Sequence, residues 1–148
     1  MTFKESAEQF GIADTGWTSQ SVFFDFDNDG DLDLYVMNHA NEWLSKKDGP
    51  SKNDVAILSK DHLYRNDNNL FVDVSKSAGL IEEKFGGFGL GIAIADINLD
   101  GYQDIYISSD YDSPDLLYIN QGNSTFKEEA KQRFGHISYF SMGVDIAD

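Results

Sequence analysis

The sequence predicts an all-β chain, a fragment of a β-propeller made of four-stranded antiparallel blades, and three observations predict it. One loop pattern, alternating acidic residues around a glycine, occurs twice, at Asp25–Asp33 and at Asp96–Asp104. Apolar and polar residues alternate with period two on both sides of each loop, as half-buried strands do. Each repeat then resolves into four short strands over ~50 residues, which is the size of a propeller blade. The competing architecture is a β-sandwich with two similar halves. A sandwich has no need of the same loop at the same place in each half.

The strands follow in order. Alternation and β-branched or aromatic content mark 21–26, 32–37, 62–66 and 70–75 in the first repeat, and 89–95, 103–108, 116–120 and 125–129 in the second. Asn66-Asp67-Asn68-Asn69 and Gln121-Gly122-Asn123-Ser124 have the composition of hairpin turns. Leu63-Tyr64-Arg65-Asn66 with Phe71-Val72-Asp73-Val74-Ser75 matches Leu117-Tyr118-Ile119-Asn120 with Phe126-Lys127-Glu128-Glu129-Ala130. Phe3-Lys4-Glu5-Ser6-Ala7 matches the tail of that unit, so residues 3–7 are expected to be the last strand of a preceding blade. Gly143-Val144-Asp145-Ile146-Ala147-Asp148 matches Gly91–Asp96, so 139–148 is expected to begin a third. Asp33 to Leu63 spans 30 residues, against 13 from Asp104 to Leu117. The first repeat therefore carries about 17 extra residues, an inserted loop within 38–60. A short helix is expected over 54–60. The divisions are a blade at 21–75 with that insertion, a blade at 89–130, and partial units at both ends of a partial propeller over 1–148. A closed ring takes ~4–8 blades, so the chain reads as a cut from a longer protein. Its exposed blade edges would invite self-association.

Composition narrows the function. Among 148 residues, 19 Asp and 7 Glu face 11 Lys and Arg, for a formal charge of −15. That balance excludes the basic face that nucleic acids require. No apolar run approaches the ~18–20 residues of a membrane span. Met1-Thr2-Phe3-Lys4-Glu5 leads into polar sequence rather than an apolar leader. The absence of cysteine removes disulfides, thiolate zinc sites and a cysteine nucleophile. The preference for Asp over the longer Glu suits turns and tight cation loops.

The loops carry the chemistry. Asp25, Asp27, Asp29 and Asp33 occupy positions 1, 3, 5 and 9 around Gly30, and Asp96, Asn98, Asp100 and Asp104 do the same around Gly101. Alternate short side chains converge as the chain curls, and the glycine permits the sharp turn. The carbonyls of Asp31 and Tyr102 at position 7 are expected to point inward. Five protein oxygens plus water match the 6–8 oxygen ligands of Ca²⁺. Mg²⁺ suits the loops less, since it needs rigid octahedral geometry, and Zn²⁺ prefers nitrogen and sulfur. An EF-hand requires Glu at position 12, where this chain has Val36 and Ile107, and it requires flanking helices. The expectation is two strand–loop–strand calcium sites. Without a cation, four carboxylates in one nine-residue loop would repel strongly.

This pattern resembles the FG-GAP/VCBS repeats of integrin-like β-propellers, and most closely the VCBS-repeat proteins related to cartilage acidic protein and associated with ASPIC/UnbV domains. The likeness rests on Phe24–Asn38, Leu63-Tyr64-Arg65-Asn66, Phe71-Val72-Asp73-Val74-Ser75, Ala78-Gly79, Phe88-Gly89-Leu90-Gly91, Asp112–Asn120 and Phe140-Ser141-Met142-Gly143. Asn98 departs from it, putting a neutral oxygen where Asp is usual. The resemblance implies a calcium-stabilised propeller segment in an extracellular or cell-envelope protein, within a large bacterial polypeptide. Adhesion or recognition of a protein or glycan ligand is the implied role, not catalysis. The alternative is part of a propeller-fold extracellular polysaccharide-degrading enzyme.

Other features read as ordinary. His39, His62 and His136 have no metal or triad spacing. Asp110, Asp112 and Asp115 surround Pro114 as a turn would. Trp17, Trp43, Tyr111 and Tyr139 suit packing better than sugar stacking. Lys46, Lys47 and Lys52 make the inserted loop locally basic. Asn123-Ser124-Thr125 is a glycosylation sequon on an exposed turn.

Overall fold

The computed structural model describes residues 2–40, 57–80, 87–111, 113–138 and 140–147. Eight strands appear among them: β1 (Thr18–Phe24), β2 (Asp33–Asn38), β3 (His62–Asn66), β4 (Phe71–Asp73), β5 (Gly89–Ala95), β6 (Asp104–Ser109), β7 (Leu116–Asn120) and β8 (Phe126–Glu128). They form two four-stranded antiparallel sheets, ordered β1-β2-β3-β4 and β5-β6-β7-β8. The registers repeat. Phe24 pairs with Asp33 as Ala95 pairs with Asp104, and Tyr35 pairs with Leu63 as Tyr106 pairs with Leu117. Even the irregularity recurs, between Thr18 and Gln20 in β1 and between Gly89 and Gly91 in β5.

The sheets stack on non-equivalent faces. Period-two alternation sends Tyr35, Met37 and Leu63 to one side of the first sheet and Leu34, Val36 and Tyr64 to the other. The Tyr35 side meets Ile105, Ile107 and Tyr118 of the second sheet in the largest core cluster, joined by Phe24, Phe26 and Phe126. The far side of the second sheet carries Leu117 and Ile119 with Tyr106, the repeat equivalent of Tyr35. Each sheet thus offers one face forward and the other back. A two-fold sandwich would bring equivalent faces together; this head-to-tail stacking is that of a propeller fragment. Polar links reinforce it: Ser19 Oγ donates to the Gly89 carbonyl (3.2 Å), and Ile92 N–H donates to Gln20 Oε1 (3.1 Å).

One carboxylate secures the end of each sheet away from the acidic loops. Asp61 accepts from the Tyr35 hydroxyl (2.8 Å) and Asn38 N–H (2.9 Å). Asp115 accepts from the Tyr106 hydroxyl (2.8 Å) and Ser109 N–H (2.8 Å). The acid expected to serve a turn near Pro114 is therefore a buried tie. Burial first, and then the bond to Asp115, pushes the Tyr106 hydroxyl up to about 12.

Two expected strands are absent. Residues 3–7 form none: helix α1 (Ala7–Phe10) begins inside them, with Phe10 N–H bonded to the Ser6 carbonyl (3.2 Å). A strand needs a ladder partner, and among the described residues none lies beside this segment. It serves instead as a connector. Gly11 (φ 78°) runs close to the Phe71 carbonyl of β4, as Gly79 (φ 83°) runs close to the Phe126 carbonyl of β8. Helix α2 (Ala130–Arg133) follows β8, and Ala130 is buried against Leu117 and Ile119. In 139–148, the described residues 140–147 hold no strand either, although Ser141 N–H bonds the Ser109 carbonyl (2.9 Å) at the end of β6. Of the inserted loop expected within 38–60, residues 41–56, with Trp43, Lys46, Lys47 and Lys52, lie outside the described residues. Of the helix expected over 54–60, residues 54–56 lie outside them too and residues 57–58 are helical; Asp112, Tyr139 and Asp148 also lie outside.

Candidate metal centres

Both acidic loops sit where the first two strands of a sheet join, and the same backbone bonds shape them. In loop one, Asp25 accepts from Asp29 N–H (3.1 Å) and Gly30 N–H (3.0 Å), and Asp29 accepts from Asp31 N–H (3.0 Å). In loop two, Asp96 accepts from Asp100 N–H (3.0 Å) and Gly101 N–H (2.8 Å), and Asp100 accepts from Tyr102 N–H (2.9 Å). The turns match as well. Asn28 and Leu99 have φ of 59° and 60°, and Gly30 and Gly101 have 97° and 92°. The last pair lies where side chains are strained, so glycine at position 6 is a steric need.

Loop one gathers carboxylates. Ligand atoms of Asp25, Asp27 and Asp29 lie within 4.8 Å of one another. Asp27 Oδ1 is buried and has no hydrogen-bond partner. Burial, and then the charges of Asp29 and Asp25, raise the Asp27 carboxyl above its ordinary value. Asp31 is raised too, by the same causes in the same order, and its Oδ1 is also buried without a partner. A divalent cation answers each of these features. It would supply partners for the two orphaned oxygens and cancel the repulsion.

Asp33 stands apart from that trio. It is fully buried, and its two oxygens accept from Phe26 N–H (3.0 Å) and Asn66 N–H (2.8 Å). Asp104 is fully buried and accepts from Ile97 N–H (2.9 Å) and Asn120 N–H (2.8 Å). Position 9 thus ties the acidic loop to the end of the third strand. Burial pushes Asp33 up to about 6 against those two bonds and raises Asp104.

Loop two is chemically softer. Asn98 Nδ2 donates to Asp100 Oδ2 (2.8 Å), and Asn98 Oδ1 accepts from Asp100 N–H (3.1 Å). An internal amide thus engages the Asp100 carboxylate, whereas Asp27 Oδ1 of loop one has no partner. Tyr102, at position 7, packs its ring near Gly122 of the β7–β8 turn.

Sequence reasoning missed the asparagines that end the third strands. Asn66 Nδ2 donates to the Leu32 carbonyl (3.1 Å). Asn120, 1% exposed, donates to the Gln103 carbonyl (3.2 Å) and across the blade boundary to the Phe26 carbonyl (2.7 Å). Their signal was present: each closes a Leu-Tyr-x-Asn unit.

Comparison with known proteins agrees with this geometry. Residues 96–148 match the FG-GAP-like repeat family, a stretch that starts at Asp96, the first residue of loop two, and runs through β6, β7 and β8. No curated protein matches the chain. No helix among the described residues is long and apolar enough to cross a membrane. The chain is an all-β structure of two four-stranded antiparallel sheets, consistent with a propeller fragment, in which residues 96–148 are similar to an FG-GAP-like repeat.

Proposed function

We propose that this chain is a calcium-binding segment of a β-propeller in a secreted or cell-surface protein, where it serves adhesion or ligand recognition rather than catalysis. One observation carries the reading. Asp25, Asp27 and Asp29 converge within 4.8 Å on a loop whose backbone recurs at Asp96–Asp104. The orphaned Asp27 Oδ1 and the FG-GAP-like match support it. In loop one, Asp25, Asp27 and Asp29 would hold the ion, with Asp31 and Asp33 completing the set. In loop two, Asp96, Asn98, Asp100, Tyr102 and Asp104 would do so. Calcium here supplies charge neutralisation and a cross-link between the first two strands of each sheet. Two ions would bring the formal charge from −15 to −11. Extracellular modules of this kind bind with Kd about 10⁻⁴–10⁻³ M, which suits external calcium. On this reading the chain is similar to the VCBS-repeat proteins related to cartilage acidic protein.

Isothermal calorimetry tests the ligands. The chain should take up two calcium ions, and Asp27→Ala should take up one. Unchanged stoichiometry in that variant would count against loop one as assigned.

A further inference from the structure

The two acidic loops touch. Asn28 lies at position 4 of loop one, between Asp27 and Asp29, and its Nδ2 donates to the carbonyl of Gly101 (3.1 Å), position 6 of loop two. Gly101 N–H in turn donates to Asp96 Oδ2 (2.8 Å), the first carboxylate of loop two. A path of two hydrogen bonds and one peptide residue therefore joins the ligand positions of the loops. Asn120 keeps them in reach through its buried bond to the Phe26 carbonyl (2.7 Å).

We infer that the loops bind cations as a coupled pair, with Asn28 as the positioning residue that carries the coupling. This rests on the calcium reading above. A cation in loop one fixes Asp27 and Asp29, and so fixes the backbone and amide of Asn28 between them. That amide then holds Gly101 in the conformation that presents Asp96. The ordering cost of loop two is partly met before its own ion arrives, which is positive cooperativity. Linkage makes the effect reciprocal. The relay has an end: Leu99 stands at the position equivalent to Asn28, with φ 60° and 86% exposure, and it has no amide to donate. Mutual repulsion of the two ions opposes the coupling, but it is screened over ~8 Å at physiological salt.

The experiment reads each loop separately. The amides of Gly30 and Gly101 report loops one and two in heteronuclear NMR titrations of the full chain with CaCl₂ at physiological salt. Both should titrate. Asp27→Asn should raise the Gly101 midpoint by about fivefold or more, the low end of ordinary allosteric coupling. Asp100→Asn should raise the Gly30 midpoint by the same factor. Asn28→Gly keeps the left-handed turn and loses only the amide. In that background, Asp27→Asn should leave the Gly101 midpoint unchanged. A Gly101 midpoint indifferent to Asp27→Asn in the otherwise natural chain would overturn the coupling and leave the calcium reading standing. Coupling that persists in Asn28→Gly would overturn the role of Asn28. Silence of both glycines at millimolar calcium would instead overturn the calcium reading itself.

Discussion

Asp33 shows how one side chain can shape a loop without lying in its carboxylate cluster. Its carboxylate is fully buried and holds two backbone N–H groups, of Phe26 and Asn66. Burial lifts it from 3.8 to about 6 in the folded state. The folded chain therefore holds the Asp33 proton more tightly than the unfolded chain does. Without calcium, this contribution to stability is fully present below pH about 4 and is lost as the pH rises through about 6. Asp27, Asp31 and Asp104 are raised and act in the same direction. Asp67, Asp73 and Glu129 are lowered and act in the opposite direction, their contributions being lost as the pH falls from about 4.5 downward. Melting in a chelator should show stability falling between pH 4 and 6.5, and a rise across that range would contradict the assignment. Asp33→Asn should flatten the fall. It should also cost about 1–3 kcal/mol at pH 5, because an amide N–H₂ then faces a backbone N–H. Positions 1, 3 and 5 were legible in the sequence because alternate spacing alone brings short side chains together. The role of position 9 was not. It depends on the end of β3, which the inserted loop separates from Asp33 by many residues.

Elements were legible where their pattern is self-sufficient. Strands β1 to β8 alternate clearly, and the expected and observed limits differ by three residues at most. The segment 3–7 forms no strand although its sequence closely matches that of a fourth strand, because strand formation depends on a neighbour. Beyond it, Gly11 approaches the Phe71 carbonyl of β4 as Gly79 approaches the Phe126 carbonyl of β8. Gly79 has φ 83°, and a Cβ there would stand 2.8 Å from the Phe126 carbonyl oxygen. Gly79→Ala should accordingly cost more than the ~1 kcal/mol of an ordinary glycine replacement, since the backbone of β8 must move. A denaturant midpoint like that of the unchanged chain would show that this close approach carries no weight.

At the scale of the whole molecule, repetition is the organising fact. The sequence showed that two units exist and carry one loop each. It did not show which faces meet, because either side of each sheet is apolar enough to be buried: Leu34 and Val36 on one side, Tyr35 and Met37 on the other. The structure resolves this as forward face on backward face, which sets the two acidic loops side by side and lets Asn28 reach Gly101. The acidic excess then takes on a structural meaning. Much of it is concentrated in two adjacent loops, the first with two orphaned carboxylate oxygens and both with raised carboxyls, as the proposed cation sites would require. The most direct test is the melting temperature of the chain near pH 7.5, first in excess EDTA and then after calcium is restored in excess. Structural calcium predicts a lower melting temperature in the chelator and full recovery on restoring the ion. An identical melting temperature in both conditions would contradict it.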